Sequence, residues 1–376
     1  MYNRVKDRSL LVLIVDLTPE KWGQRSQHRM ASDKARSRHN KRSVGPATLE
    51  DTLSSILSFL IAFSSCHRDN TIVLIGAAGN EVGVLYPRKD RMGEVVGELG
   101  DRSVDLIEMR EGLMLGAAEI VGRCVRNPSK QGTSIVAAAS LALCIINRFM
   151  VSSGNKESTA ESLLHRKEDK GILGMISKRA SKEGESAQKE ATEERLEQRR
   201  ARGMLSSRML IVQASDDYTP QYNSFMNVVF AAANNDIIID GCFIPSGIPN
   251  QPKTSTFLEQ ACDRTGGVFS KPMGSAQVQG GLTEVFMTVF LPPLGIRNEL
   301  NLPKVNTVDF RARCFETGAS LDMGMVCNLC LSIFKVEPKG GYCLTCGAKI
   351  SVKSDDKSSN GTSKEDSANK RPRLEN

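Results

Sequence analysis

Four cysteines close to the C-terminus have a spacing that can hold a metal ion: Cys327-x2-Cys330, twelve residues, then Cys343-x2-Cys346. Each Cys-x-x-Cys pair sits on a tight turn that aims two thiolates at one point, and the intervening stretch suffices for a short hairpin. Gly347 is placed to let the backbone turn around the metal, and Gly340 and Gly341 lead into the second pair. Four thiolates are a donor set of structural zinc. They leave no open coordination position, so the ion would hold a fold and activate no water. Two disulfides or four buried thiols are the other readings of the same residues; the spacing favours zinc.

No other constellation offers catalysis. His28, His39, His67 and His165 lie in loop-like, helix-end or insertion segments with no nucleophile or acid beside them. There is no Gly-x4-Gly-Lys-[Ser/Thr] phosphate loop, and the glycines of 79–83 and 97–100 lack dinucleotide spacing. Asp16 and Asp216 can be drawn as an acid pair, but a carboxylate at a strand edge of an α/β fold is more often a structural or metal-face residue. Activity has to be argued from a site, and an enzyme is not expected.

The chain has 376 residues and a net charge of +7, a length for about two domains plus accessory segments. The charge is uneven. Lys21, Arg25, Arg29, Lys34, Arg36, Arg38, Lys41 and Arg42 stand against Asp33 alone, which reads as a basic loop, solvated or touching an acidic partner or nucleic acid. The apolar run 10–15 is far too short for a signal peptide or a membrane span. Most of the other cysteines (Cys66, Cys124, Cys144, Cys242, Cys262, Cys314) lie in apolar segments and read as small buried side chains.

The elements that must position such residues follow from periodicity. The run 10–15 is a central parallel strand, buried on both faces and ending at Asp16. Leu49, Leu53, Ile56, Leu57 and Leu60 follow the helical period. Strands are expected at 71–77 and, after the turn Gly79-Asn80, at 82–86; 93–101 reads as a loop. Residues 104–125 read as a helix weakened by Gly112, Gly116 and Gly122. Gln131-Gly132-Thr133-Ser134 opens an apolar helix over 135–149. The stretch 152–207 is dense in charge and serine with no aromatic residue, so it is expected to be disordered or partly helical near 191–202. Beyond it come a strand at 209–212, a helix opened by Thr219-Pro220, and a strand at 237–239. A helix at 256–263, a short strand at 268–269 and a helix at 276–290 complete the series. Strands alternating with helices make an α/β fold, doubly wound, with a mostly parallel sheet and helices on both faces.

Several ordered motifs carry a resemblance. They are Asp16-Leu-Thr-Pro19 with Trp22-Gly23; Gln221-Tyr-Asn-Ser-Phe-Met-Asn227 with Val229-Phe230-Ala231-Ala232; Gln260-Ala-Cys262 with Thr265-Gly-Gly-Val268; Phe290-Leu-Pro292; and Asp309-Phe-Arg-Ala-Arg-Cys314 leading into Val326-Cys-Asn-Leu-Cys-Leu-Ser-Ile-Phe334. The strands and turns resemble a von Willebrand factor A (vWA) domain. With the cysteine module, the set resembles the family of smaller vWA subunits of the transcription and repair factor TFIIH, over about 8–151 and 208–350. The resemblance implies a vWA-like domain at 8–295, with the basic loop at 21–44 and the insertion at 152–207, then a small C4 zinc-ribbon-like module at 305–350. A disordered basic tail would follow at 353–376. The basic loop and the insertion are larger than such a family implies.

The resemblance also implies a candidate metal face. A vWA site uses Asp-x-Ser-x-Ser after the first strand, a Thr from a second loop and an Asp from a third, binding a magnesium-like ion. Asp16 and Thr18 fit, but Glu20 stands at the third position, after Pro19. Thr133 fits the second loop. The third-loop Asp position falls near Ser215, with Asp216 and Asp217 one or two residues late. The set is partial, so no magnesium is expected; these groups would cap helices and brace loops, and the face would still be free to bind a partner. Trp22, the single tryptophan, lies beside that edge as a candidate interface anchor or a loop residue folded back on the domain.

The function implied is that of a non-catalytic scaffold. Its partner would be a second vWA/zinc-domain subunit, within a nuclear multi-subunit complex containing two helicases, for RNA polymerase II initiation and nucleotide excision repair. Lys370-Arg371-Pro372-Arg373 is compatible with nuclear import. Two readings rival it. One is a nucleic-acid-binding zinc ribbon with Phe334, Lys335, Lys339, Tyr342 and Lys349 as a stacking and phosphate face. The other is a metal-dependent vWA ligand-binding module. Direct DNA contact is expected to be weak, and no membrane is expected.

Overall fold

The computed structural model describes residues 9–39, 46–67, 70–87, 105–127, 134–152, 206–246, 254–272 and 281–303, and most of 312–349. The expectations for the loop at 93–101, the start of the last helix at 276, most of the insertion at 152–207 and the tail at 353–376 lie outside the described residues. So do Thr133, Lys339 and His165. The chain divides into two compact units, Met1–Phe310 and Arg311–Asn376.

The first unit is built on β1 (Ser9–Asp16), whose apolar run alternates between two cores. Leu11, Leu13 and Val15 face one core, and Leu10, Val12 and Ile14 face the other. β1 pairs in parallel with β2 (Thr71–Ala78) on one side and β4 (Ser206–Gln213) on the other; Val12 sits opposite Val73 and Met209. β5 (Ile238–Phe243) and β6 (Phe269–Ser270) extend the sheet in parallel beyond β4. β3 (Glu81–Tyr86) runs antiparallel at the other edge, joined to β2 through Gly79 at φ 54°. The order β3-β2-β1-β4-β5-β6 is doubly wound: the chain moves one way from β1, then returns to its other side.

Helices cover both faces. α1 (Pro19–His39) lays Trp22 onto the first face, beside α2 (Leu49–Cys66) and α3 (Leu106–Arg126). α4 (Ile135–Ser152) covers the second face. The same face carries α5 (Tyr222–Asn234) and α6 (Thr256–Thr265). A last short helix α7 (Gly281–Val285), continued by a π-helical turn at Phe286–Phe290, closes the first face. α2 is long and apolar enough to cross a membrane by length and composition, but Leu53, Ile56, Phe59, Leu60 and Phe63 spend its apolar stripe on the core.

Two expectations are corrected. The basic stretch after Asp16 is not a loop through its described part: it is α1, opened by Pro19 at the first helical position. The pair Thr219-Pro220 opens a short 3-10 turn, Thr219–Gln221, and the α-helix begins only at Tyr222.

The second unit holds two short antiparallel pairs, β7 (Ala312–Arg313) with β8 (Ser320–Leu321) and β9 (Met325–Val326) with β10 (Ile333–Phe334). Its core is the cluster of Cys327, Phe334 and Cys343.

Candidate functional site

The crevice of a doubly wound sheet lies beyond the carboxyl ends of the strands where the order reverses. Here that point is between β1 and β4, and Asp16 closes β1 there, fully buried. One carboxylate oxygen accepts from the Thr18 amide (3.0 Å) and hydroxyl (2.6 Å). The other accepts from the amides of Ala214 (3.0 Å) and Ser215 (2.7 Å), just past β4. Four donors occupy the roughly four lone-pair positions of a carboxylate. Asp16 thus ties the end of β1 to the end of β4. Its backbone carbonyl accepts from the Trp22 indole N–H at 2.8 Å. Of the two readings of Trp22, the structure has the second: the ring is folded back into the core, 3% exposed, and is no surface anchor.

One turn further along α1 from Trp22, Arg25 is equally buried. Its guanidinium donates to the carbonyls of Ala214 (2.9 Å), Ile244 and Pro245 (3.2 Å), at the ends of β4 and β5, and stacks 5.0 Å from the Trp22 ring. Burial pulls its pKa down to about 10, opposed by the charges of Asp16 and Asp216. Lys21 bonds Asp216 at 2.6 Å. Asp217 turns to α6, accepting from Ser255 Oγ (2.5 Å), the Phe257 amide (3.1 Å) and Gln213 (3.1 Å). Glu20 is exposed and accepts from Gln24 at 3.3 Å. Ser215 Oγ is buried without a hydrogen-bond partner.

The described residues of this face do not fit a divalent ion. The lone pairs of Asp16 are spent on N–H and O–H donors, and Asp216 is bonded to an ammonium group. Asp217 is engaged with α6, and Glu20 points to solvent. An octahedral magnesium site tolerates little displacement of its oxygens.

A second buried charge network was not foreseen from the sequence. Asp240 of β5 accepts two 2.7 Å bonds from the Arg297 fork and one from the Val268 amide at 2.9 Å. Arg208 of β4 lies 3.9 Å from the same carboxylate and donates to the Phe290 carbonyl at 2.6 Å. Burial alone would raise the Asp240 carboxyl, but the two guanidiniums outweigh it and hold it below the usual carboxylate range. Burial brings Arg208 down to about 10. For Arg297 the same burial is outweighed by Asp240, which raises it. The signal available was a charge beside or inside an apolar strand run: Arg208 immediately before 209–212, and Asp240 within β5.

The four cysteines of the second unit converge. All four Sγ atoms lie within 4.8 Å of one another, with Cys327–Cys346 at 3.7 Å and Cys330–Cys343 at 3.5 Å. A tetrahedron with zinc–sulfur bonds of about 2.3 Å has edges of about 3.8 Å, whereas a disulfide would need about 2.05 Å. The donor set therefore fits zinc in size and softness. The turns are local: the Cys327 amide donates to the Ser332 carbonyl (2.9 Å), and the Cys343 amide to that of Ala348 (2.7 Å). Gly340, Gly341 and Gly347 take φ of 92°, 71° and 71°, where a side chain is disfavoured. Phe334, expected on a stacking face, is instead fully buried under the cluster, where it is the one large ring in the core among the described residues. Tyr342, Lys335 and Lys349 are exposed.

A Debaryomyces hansenii protein, "General transcription and DNA repair factor IIH subunit TFB4", is 27% identical over 371 residues, covering 92% of this chain and 86% of that one. An Arabidopsis thaliana protein of the same name is 40% identical over 141 residues, covering 38% and 43%. The crystal structure of the TFIIH p34 N-terminal domain aligns with a TM-score of 0.46 at 21% identity, over 76% of this chain and 99% of that one. The family model described as "Transcription factor Tfb4" matches residues 8–347, through both units, and the chain belongs to that family.

Proposed function

We propose that the chain is a non-catalytic scaffold subunit of the TFIIH core, serving RNA polymerase II initiation and nucleotide excision repair in the nucleus. The observation that carries this reading is the family match along 8–347, which spans the α/β unit and the cysteine module together. The first unit acts as a vWA-like docking domain. In the second, zinc held by Cys327, Cys330, Cys343 and Cys346 supplies structure and no chemistry. The partner is a second vWA/zinc-domain subunit, and the pair braces the helicases of the complex. The buried carboxylates Asp16 and Asp217 at the switch point support a scaffold over an enzyme, because they are spent on donors within the fold.

The test is gentle purification of the tagged chain from its native cells. The expected result is stoichiometric recovery of a second vWA/zinc-domain subunit with two helicases. Recovery of the chain alone, or with nucleic acid only, would overturn the reading. In that case the exposed Tyr342, Lys335 and Lys349 become the first residues to substitute, and the slope of DNA affinity with salt becomes the readout.

A further inference from the structure

We propose that the outer part of α1 is a phosphate-binding surface: Lys34, Arg36 and Arg38 hold the sugar-phosphate backbone of duplex DNA without reading its sequence. The surface rests on the charge of one helix and stands whether or not the chain is a TFIIH subunit.

α1 divides its cations between two tasks. Those of its first part are spent inside the chain. Lys21 bonds Asp216 at 2.6 Å, the Arg25 fork donates to three backbone carbonyls, and Arg29 pairs with Asp51 at the start of α2. Among the described side chains, Arg29 is the last of α1 with a hydrogen bond or ion pair to another element. Met30 is then 64% exposed, and Ala31 is exposed as well. The helix nevertheless runs on to His39, eight residues beyond Ala31.

The sequence of that extension decides what it can bind. Ser32-Asp-Lys-Ala-Arg-Ser-Arg-His39 carries Lys34, Arg36 and Arg38 against Asp33 alone, and its one apolar residue is Ala35. A helix that is polar all round has no stripe to lay on a core. It also lacks the aromatic and apolar anchors that the centre of a protein interface needs. A DNA backbone asks for neither. Its affinity comes from cations that neutralise phosphates and release their condensed counter-ions, and hydroxyl donors add contacts that position without specifying. Lys34 and Arg38 stand at the i, i+4 spacing of one helix face, about 6 Å apart along the axis. Duplex DNA presents a phosphate charge per about 1.7 Å of its own axis, so both cations find phosphates at once.

The experiment titrates the zinc-loaded full chain against a short fluorescent DNA duplex, read by anisotropy, from about 50 to 200 mM potassium chloride. One variant combines Lys34→Gln, Arg36→Gln and Arg38→Gln. A second keeps the charge with Lys34→Arg, Arg36→Lys and Arg38→Lys. A third combines Lys335→Gln and Lys349→Gln, at exposed lysines of the second unit. Glutamine has nearly the helix propensity of lysine and arginine, so circular dichroism and Trp22 fluorescence should stay native. Wild type should bind with log K falling linearly with log salt. The glutamine triple should bind about tenfold or more weakly at the lowest salt, with a slope shallower by up to about 0.9 for each cation removed. The charge-keeping triple and the second-unit variant should follow wild type. The proposal is overturned by no binding in wild type, by an unchanged slope in the glutamine triple, or by an equal loss in the charge-keeping triple. A loss confined to the second-unit variant, or capture of polyglutamate in place of DNA, overturns it too. Should the glutamine triple not fold, Arg38→Gln alone, in the last turn of α1, serves: an unchanged slope there is equally fatal.

Discussion

Asp240 is the most committed charge among the described residues, and its worth can be read by removing its partner. Arg297→Met leaves a carboxylate that is 1% exposed with the Val268 amide as its hydrogen-bond donor and Arg208, at 3.9 Å, as its remaining guanidinium. Truncating one side of such a pair costs about 3–5 kcal/mol, here toward the smaller figure because Arg208 remains. Urea unfolding should show that loss, and the double variant with Asp240→Leu should lose less than the sum of the two single changes. The pair also sets an acid limit. The Asp240 carboxyl is held lower in the fold than its unfolded value of about 3.9, so its contribution is complete above that pH and is lost as pH falls through the folded value. Asp240→Asn should flatten the acid limb of the stability profile read by Trp22 fluorescence; an unchanged limb would assign the acid sensitivity elsewhere. None of this pairing was legible beforehand, because Asp240 and Arg297 lie 57 positions apart and a lone aspartate in a strand names no partner. The cysteines were legible for the opposite reason: their geometry is local.

At the level of elements, α1 and α3 show where periodicity fails. The inward face of α1 carries Trp22 and Arg25 in place of aliphatic residues, so a basic helix reads as a basic loop. In α3 the glycines weaken the local preference, yet the helix forms because Gly112 and Gly116 let it lie directly on β3. A Cβ at 112 would sit 2.2 Å from the Leu85 carbonyl oxygen, whereas one at 122 would meet nothing within 4 Å. Propensity alone favours alanine over glycine by about 1 kcal/mol at either place. Gly122→Ala should therefore gain up to about 1 kcal/mol, while Gly112→Ala should lose about 1–3 kcal/mol through displacement of β3. Chemical denaturation of the two variants checks the opposite signs. Strand and helix order, by contrast, was readable, since the alternation of Leu10 to Val15 already demands cover on both faces.

At the level of the whole molecule, the two units rest on different forces. The first has two extensive apolar cores. Among the described residues of the second, the apolar cluster is Cys327, Phe334 and Cys343, with Cys314 and Leu321 also buried, a core so small that a metal on the four cysteines would carry much of the fold. Cys343→Ser, or a strong zinc chelator, should release zinc and abolish the amide dispersion of 312–349 in NMR spectra while Trp22 fluorescence stays native. Retention of that dispersion after zinc release would refute the metal's structural role.

The central strand also has a consequence in time. Asp16 receives its last hydrogen bonds from Ala214 and Ser215, 198 and 199 positions later in the chain. At a synthesis rate of about 5–20 residues per second, an emerging β1 keeps this edge bare for on the order of 10–40 s, most of that time with β2 already on its other edge. Until β4 leaves the ribosome, the most apolar strand of the sheet is an open template, and the nascent chain is a natural client for chaperones that cover strand edges.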